Sequence, residues 1–147
     1  MTTPASVYSQ FGQTLHFAER TLTAALHEQL AQRDTRPETW YALTLIATRG
    51  PGLARERLSN ELDGSRNVAT SARELLARLA AEGLIHGDAE VDLTARGQGL
   101  YRSLRDYIGP HTAQLLSQFD IQDIETTVRT LQAITTRAAE DSPSSAE

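Results

Sequence analysis

Apolar residues recur every three or four positions along most of the chain, which is the spacing of one face of an α-helix. Between residues 7 and 30 this spacing predicts a long amphipathic helix with the apolar positions Val7, Phe11, Leu15, Ala18, Leu22, Leu26 and Leu30. A second helix is predicted from Pro37, with Thr35 or Asp34 as its N-cap. The Gly-Pro-Gly segment at 50–52 ends it. The first third of the chain is therefore expected to be helical.

The middle of the chain predicts shorter elements. Helices are expected over about 53–62 and about 67–82, separated by a turn over residues 63–67 and ended by Gly83. Residues 84–86 and 90–93 then predict a short hairpin. A short helix, a turn, a longer helix and a hairpin together form a winged helix-turn-helix, whose second helix enters the major groove of DNA.

Two further helices are predicted in the last third. Thr94 is expected to cap a fifth helix that bends at Gly109-Pro110, and Asp120 to cap a sixth. Residues 140–147 have the composition of a disordered tail. The apolar stripes of the first, fifth and sixth helices exceed what so short a chain can cover. We therefore expect residues 6–33 and 95–139 to form a dimerisation region around a DNA-binding lobe at about 37–94. The fold class is thus mainly α, with a short two-stranded wing.

The composition excludes several kinds of site. The 147 residues fit a single domain, and the absence of cysteine excludes disulfides, thiolate metal sites and thiol chemistry. The four histidines are scattered, so we expect neither a local zinc motif nor a cofactor. No apolar run approaches the roughly 20 residues of a membrane span, and no signal pattern begins the chain. A cytoplasmic protein without membrane contact is therefore expected.

Charge is distributed unevenly along the chain. The net charge is −5, and all 14 basic residues are arginine. Residues 49–78 carry six arginines and four acidic residues, whereas residues 82–92 carry four acidic residues and no arginine. The predicted helix-turn-helix is therefore the segment best suited to a phosphate backbone, and an acidic segment follows it directly.

Polar residues cluster where the second helix of the helix-turn-helix is predicted to begin. Arg66 suits guanine, Asn67 suits adenine, and the neighbouring hydroxyl groups suit phosphates. We therefore expect a DNA-contacting set of Ser65, Arg66, Asn67, Thr70, Ser71 and Arg73, with phosphate contacts from Arg55 and Arg57 on the preceding helix. The alternative is that Ser65 or Asn67 only caps the helix and that the arginines are ordinary solvated surface.

The chain resembles the MarR family of dimeric bacterial transcription regulators over nearly its whole length. The strings GPGLARERLSNEL and SRNVATSARELLARLAAEGLI are similar to the bracing and recognition helices of that family. VDLTARGQGL is similar to the second wing strand and the helix after it, and LLSQFDIQDIETTVRTLQAI to the closing dimerisation helix. The resemblance implies a homodimer that places two recognition helices on a pseudo-palindromic operator of double-stranded DNA.

Two departures from the family pattern change this expectation. The turn before the recognition helix is about three residues longer than usual, counted back from Gly83. The wing is short and lacks the arginine that family members insert into the minor groove. Asp88, Glu90 and Asp92 stand where its phosphate-facing tip should be. We therefore expect this wing to repel DNA rather than bind it.

The resemblance also implies a pocket for a small aromatic or phenolic effector, where the dimerisation helices meet the DNA-binding lobe. Its expected lining is Phe11, His16, Arg20, Trp40, Tyr41, Tyr101 and His111. An arginine or a histidine there suits an anionic or phenolic group, and a tryptophan suits stacking on a ring. The alternative is that Trp40 belongs to the core and His16 to an exposed or interface surface.

Catalysis is not expected. His16 and Glu19 lie one turn apart on the first predicted helix, but such pairs often arise by chance, and the sequence has neither a Gly-rich phosphate loop nor a nucleophile elbow. The sequence thus predicts a ligand-responsive DNA-binding regulator, most simply a repressor. The alternative is a scaffold of the same fold that has lost operator binding and acts as a small-molecule-binding or partner-binding protein, or rarely as an enzyme.

Overall fold

The computed structural model describes residues 3–65, 68 and 70–142. These residues form the elements α1 (Pro4–Ala31), α2 (Pro37–Arg49), β1 (Leu53–Ala54), α3 (Arg55–Asp63), α4 (Ala72–Ala81), β2 (Ile85–His86), β3 (Glu90–Leu93), α5 (Ala95–Leu116) and α6 (Ile121–Glu140). The chain divides into two compact units, residues 1–108 and 109–147. The prediction of a mainly helical fold with a winged helix-turn-helix is confirmed.

A small antiparallel sheet forms the wing. Its strand order is β1-β3-β2, with Leu53 opposite Val91 and Ile85 opposite Leu93. The predicted hairpin is therefore present, but the prediction that the third helix starts at residue 53 was wrong. Leu53 and Ala54 are extended because their partners, far along the chain in β3, complete an antiparallel pair.

The core of the first unit lies between α2, α3, α4 and the wing. Apolar side chains from all of these elements are almost completely removed from solvent, and the largest are Leu43, Leu58, Leu62, Leu75, Leu76, Leu79 and Val91. Each of the three helices contributes one buried stripe, which is the pattern that its sequence spacing predicts. This core fixes α3 and α4 relative to the wing.

The start of α2 differs from the prediction. Arg36 is its N-cap and makes no side-chain capping bond, and Pro37 begins the helix. Neither predicted cap serves it, because both residues belong to the turn that ends α1. Asp34 has a positive φ of 52°, and the Thr35 hydroxyl donates to the carbonyl of Arg33 at 3.1 Å. Pro37 at the first helical position is confirmed.

The start of α4 also differs, and this difference changes the candidate DNA-binding surface. The helix begins at Ala72 rather than near residue 67. The Ser71 hydroxyl accepts a hydrogen bond from the Glu74 amide at 3.2 Å, and the Asp63 carboxylate accepts one from the Ala72 amide at 2.8 Å. These two acceptors satisfy amides that a helix leaves free at its N-terminus. The segment between α3 and α4 is therefore longer than predicted.

The beginning of α5 is anchored on the junction between α4 and β2. Thr94 caps the helix as predicted, because its hydroxyl oxygen accepts from the Gly97 amide at 3.0 Å while donating to the Gly83 carbonyl at 2.5 Å. The α5 helix continues through Pro110 to Leu116. Farther along it, the hydroxyl of Tyr107 hydrogen-bonds the Gln32 side chain, which connects α5 to the residue after α1.

In the second unit, α6 begins after Asp120, whose carboxylate accepts from the Gln122 amide at 2.7 Å. This predicted cap is confirmed. Its apolar residues Ile121, Val128 and Ile134 are exposed in the isolated chain. Of the predicted disordered tail, residues 143–147 lie outside the described residues.

Candidate nucleic-acid interface and ligand cavities

The exposed face of α4 is the candidate reading surface. Ala72, Leu75, Leu76 and Leu79 face the core. The opposite side of the helix exposes Arg73, Glu74 and Ala77. Arginine suits guanine, a carboxylate suits the cytosine amino group, and alanine suits the methyl group of thymine. Glu74 and Ala77 were not among the residues predicted from the sequence, because the predicted helix start lay about five residues too early.

The structure separates the predicted DNA-contacting set. Arg73 lies in the first turn of α4, Ser71 is its N-cap, and Thr70 is exposed just before it. Ser65 is half-buried two residues after the end of α3. Arg66 and Asn67 lie outside the described residues. The Ser71 hydroxyl is therefore engaged in capping α4.

Two arginines of the basic segment form ion pairs within the chain. Arg78 reaches from α4 to α2, where its guanidinium donates to Glu38 at 3.1 Å and to the Thr39 hydroxyl at 3.0 Å. Arg49 pairs with Glu61 across α2 and α3. These two arginines hold the elements of the lobe together.

Arg55 is bound to the wing rather than exposed. Its Nε donates to the Asp88 carbonyl at 2.6 Å and its Nη2 to the Gly87 carbonyl at 2.9 Å. By contrast, Arg57 and Arg73 are exposed, and neither forms an ion pair within the described part of the chain. These two guanidinium groups remain available to an external phosphate or base.

Two of the three carboxylates predicted at the wing tip lie there. Asp88 and Glu90 are exposed there. Asp92 is half-buried at the wing base, where its carboxylate accepts a hydrogen bond from the Gly52 amide at 2.8 Å. The expectation that all three carboxylates lie at the tip was therefore wrong for Asp92, because that side chain holds the loop before β1.

Three of the predicted ligand-binding residues come together beside α2. The rings of Trp40 and Tyr101 stack with centroids 5.6 Å apart and planes inclined by 20°. Trp40 and Tyr41 also line a small cavity of about 120 Å³ with Thr23, Leu26, His27, Leu30, Pro37 and Thr44. His27 was not predicted, although it lies next to Leu26 on the inner side of α1.

The other predicted ligand-binding residues lie elsewhere. Phe11, His16 and Arg20 are exposed along α1 and do not line this cavity. The His16 ring packs instead on Phe17, with centroids 5.9 Å apart. His111 is exposed in the second unit. The sequence pattern could not separate these residues from Trp40, because all of them lie on helices with a suitable spacing.

A larger open cleft of about 530 Å³ lies between the end of α2, the wing base and α5. Its apolar floor includes Ile46 and Leu93, and its polar rim includes His86, Gln98, Arg102 and Arg105. Tyr101 lines this cleft while stacking on Trp40, so the ring pair borders it. Sequence reasoning missed the two arginines, although positions 98, 102 and 105 share one face of a helix.

The described part of the chain contains no cluster of three side chains suited to metal binding. Within the same residues, no helix combines the length and the apolar character needed to cross a membrane.

No protein-family model and no curated protein gives a significant match to the sequence. Solved structures do match. A MarR family protein from Bacillus stearothermophilus superimposes with a TM-score of 0.75 at 18% identity, covering 94% of this chain and 99% of that one. A MarR family transcriptional regulator from Silicibacter pomeroyi gives 0.72 at 16% identity, with coverage of 94% and 99%.

A MarR family protein from Mycobacterium tuberculosis, solved in complex with DNA, matches with a TM-score of 0.65 at 20% identity. This match covers 84% of the present chain and 95% of the other. The resemblance seen in the sequence is thus confirmed at the level of the fold, and the chain has the winged-helix fold of MarR family proteins.

Proposed function

We propose that this protein is a DNA-binding transcriptional regulator of the MarR type, acting as a repressor. The observation that carries the proposal is the helix-turn-helix itself, in which α4 exposes Arg73 and α3 exposes Arg57. The other described arginines of residues 49–78 bind groups within the chain. The structural neighbour bound to DNA supports it. Arg66 and Asn67 remain proposed base contacts, and Ser65 and Thr70 remain proposed phosphate contacts.

We propose that the regulator binds a pseudo-palindromic operator as a homodimer. Along α1 the apolar residues Val7, Phe11, Leu15 and Leu22 are between 40% and 52% exposed, which is unusual for so regular a stripe. A second copy would bury this stripe and place two α4 helices on one DNA duplex.

The first test measures fluorescence anisotropy with DNA from upstream of the protein's own gene and its neighbours, at about 150 mM salt. We expect sequence-dependent binding in the nanomolar range, compared with a scrambled duplex. Arg73→Ala should weaken binding by about 1–3 kcal/mol if the side chain contacts a base. Arg129→Ala removes the same charge from α6 and should leave the affinity nearly unchanged.

If the protein shows no preference over the scrambled duplex for any neighbouring promoter, the alternative function replaces this one. In that case the same fold acts as a small-molecule-binding or partner-binding scaffold. The exposed carboxylates at the wing tip favour that alternative, because they oppose a phosphate backbone. We propose no catalytic role for the regulator.

We further propose that the open cleft beside α5 binds the effector. Its size is typical of small-molecule sites, whereas the cavity beside His27 is smaller than most. Arg102 and Arg105 on the rim suit an anionic group, and the apolar floor suits a ring.

The effector proposal is tested by calorimetric titration with benzoate and with phenol as probes. Arg102→Ala should abolish benzoate binding, while Arg96→Ala, on an exposed residue outside the cleft, should not change it. Equal binding to wild type and Arg102→Ala would exclude the cleft as the anion site.

A further inference from the structure

We propose that Arg55 is a positioning residue that fastens the wing to the start of α3, and that it does not contact phosphate. The proposal rests on the proposed function only where it concerns DNA. It replaces the sequence-based expectation that Arg55 and Arg57 have the same role.

Arg55 binds three consecutive carbonyl groups of the wing turn. Its side chain donates to the carbonyls of Gly87 and Asp88, and its backbone amide donates to the carbonyl of Ala89 at 2.9 Å. One residue at the first position of α3 therefore holds the whole connection between β2 and β3. The β1–β3 pairing lies directly next to these bonds, since Ala54 is opposite Glu90.

The chemistry of this contact requires an arginine. A guanidinium group presents Nε and Nη2 as a rigid planar fork, so it can donate to two neighbouring carbonyls at once. A lysine ammonium is a single point charge without that geometry. The positive charge also lies beside a turn that carries the exposed carboxylates of Asp88 and Glu90, and it offsets part of the negative potential there.

The turn is closely packed against the start of β3. Gly87 has a φ of 109°, and a Cβ at this position would lie 2.0 Å from the Glu90 carbonyl oxygen. The backbone of the turn thus depends on close packing across the hairpin. Without Arg55, the carbonyls of Gly87 and Asp88 would lose their donors and the hairpin end would open more often.

Hydrogen exchange of the wing measures this role directly. In Arg55→Ala we expect amides in a peptide covering residues 85–93 to exchange about tenfold faster than in the wild type, because two charge-assisted hydrogen bonds are lost. Arg55→Lys should show the same increase, since it keeps the charge without the fork. Arg57→Ala, on an exposed residue of the same helix, should leave wing exchange unchanged.

Salt dependence of operator binding gives a second readout. Arg57→Ala should reduce the slope of log K against log salt by about one, as the loss of a phosphate contact does, while Arg55→Ala should leave the slope unchanged, because its guanidinium binds the wing. Unchanged wing exchange in Arg55→Ala would overturn the proposal, as would a slope reduced by about one. If the wild type binds no DNA specifically, the proposed function fails, while wing exchange alone decides the role of Arg55.

Discussion

Individual polar side chains connect helices that are distant in sequence. Arg78 of α4 binds Glu38 and Thr39 of α2, and both of these partners are less than 10% exposed. A carboxylate in such a position is stable only while it is paired, because burial removes its hydration. The Arg49–Glu61 pair is chemically similar but lies at the surface, where water screens the charges.

We predict that Arg78→Ala lowers the free energy of unfolding by about 2 kcal/mol, because it removes the hydrogen-bonded guanidinium from the buried Glu38 and leaves only Arg36, at 3.9 Å. Arg49→Ala should cost less than about 1 kcal/mol, as for most exposed pairs. Urea unfolding followed by circular dichroism measures both variants. Equal losses of stability in the two variants would show that the burial of Glu38 does not make its ion pair stronger than the exposed one.

At the level of elements, capping determines where the candidate recognition helix begins. The string Ser71-Ala72-Arg73-Glu74 fits the S-x-x-E capping-box pattern, and this local signal could have identified the correct start. The prediction instead started the helix near residue 67, because polar residues suited to a helix start occur from Ser65 onward. Asp63 then adds a second acceptor from the end of α3, which no local pattern reveals.

The position of α5 depends on a close approach of two backbones. A Cβ added at Gly97 would lie 2.0 Å from the Leu84 carbonyl oxygen, whereas one added at Gly99 would meet nothing within 4 Å. We predict that Gly97→Ala destabilises the protein by about 1–3 kcal/mol, since the helix must shift away from the backbone of Leu84.

Gly99→Ala is the matched control, because it makes the same change two residues away on an open side of α5. It should be neutral or stabilising by up to about 1 kcal/mol, because alanine favours the helix. Thermal unfolding of the two variants distinguishes these outcomes. A similar melting temperature for both would contradict the packing argument.

At the level of the whole molecule, apolar surface remains uncovered on the described chain. The α1 stripe is exposed in the first unit, and Ile121 and Val128 are exposed in the second. The buried core instead belongs to the winged helix-turn-helix. In the proposed dimer, a second copy would cover the apolar residues that are exposed on a single copy.

We predict that Leu15→Glu converts the proposed dimer to a monomer of 16.1 kDa, because a carboxylate in an apolar interface loses its hydration. Light scattering after size-exclusion chromatography measures the mass. Gln13→Glu adds the same charge at another exposed position of α1 and should leave the dimer intact. A dimeric Leu15→Glu variant would place the interface elsewhere.

The sequence by itself determined the helices, the hairpin and several of the helix ends. Long runs of regular spacing predicted α1, α5 and α6. The caps Thr94 and Asp120 were correct because each accepts from an amide only two or three positions away. Gly83, with its positive φ of 75°, was identified in the same way.

Only the tertiary structure decided which polar residues are available for function. Arg55 and Arg57 are alike in the sequence, yet the folded wing engages the first and leaves the second exposed. The strand β1 and the Trp40–Tyr101 stack likewise depend on partners distant in the chain. The spacing of apolar and polar residues indicates which residues share a face of one element. Contacts between elements arise only when those elements pack together.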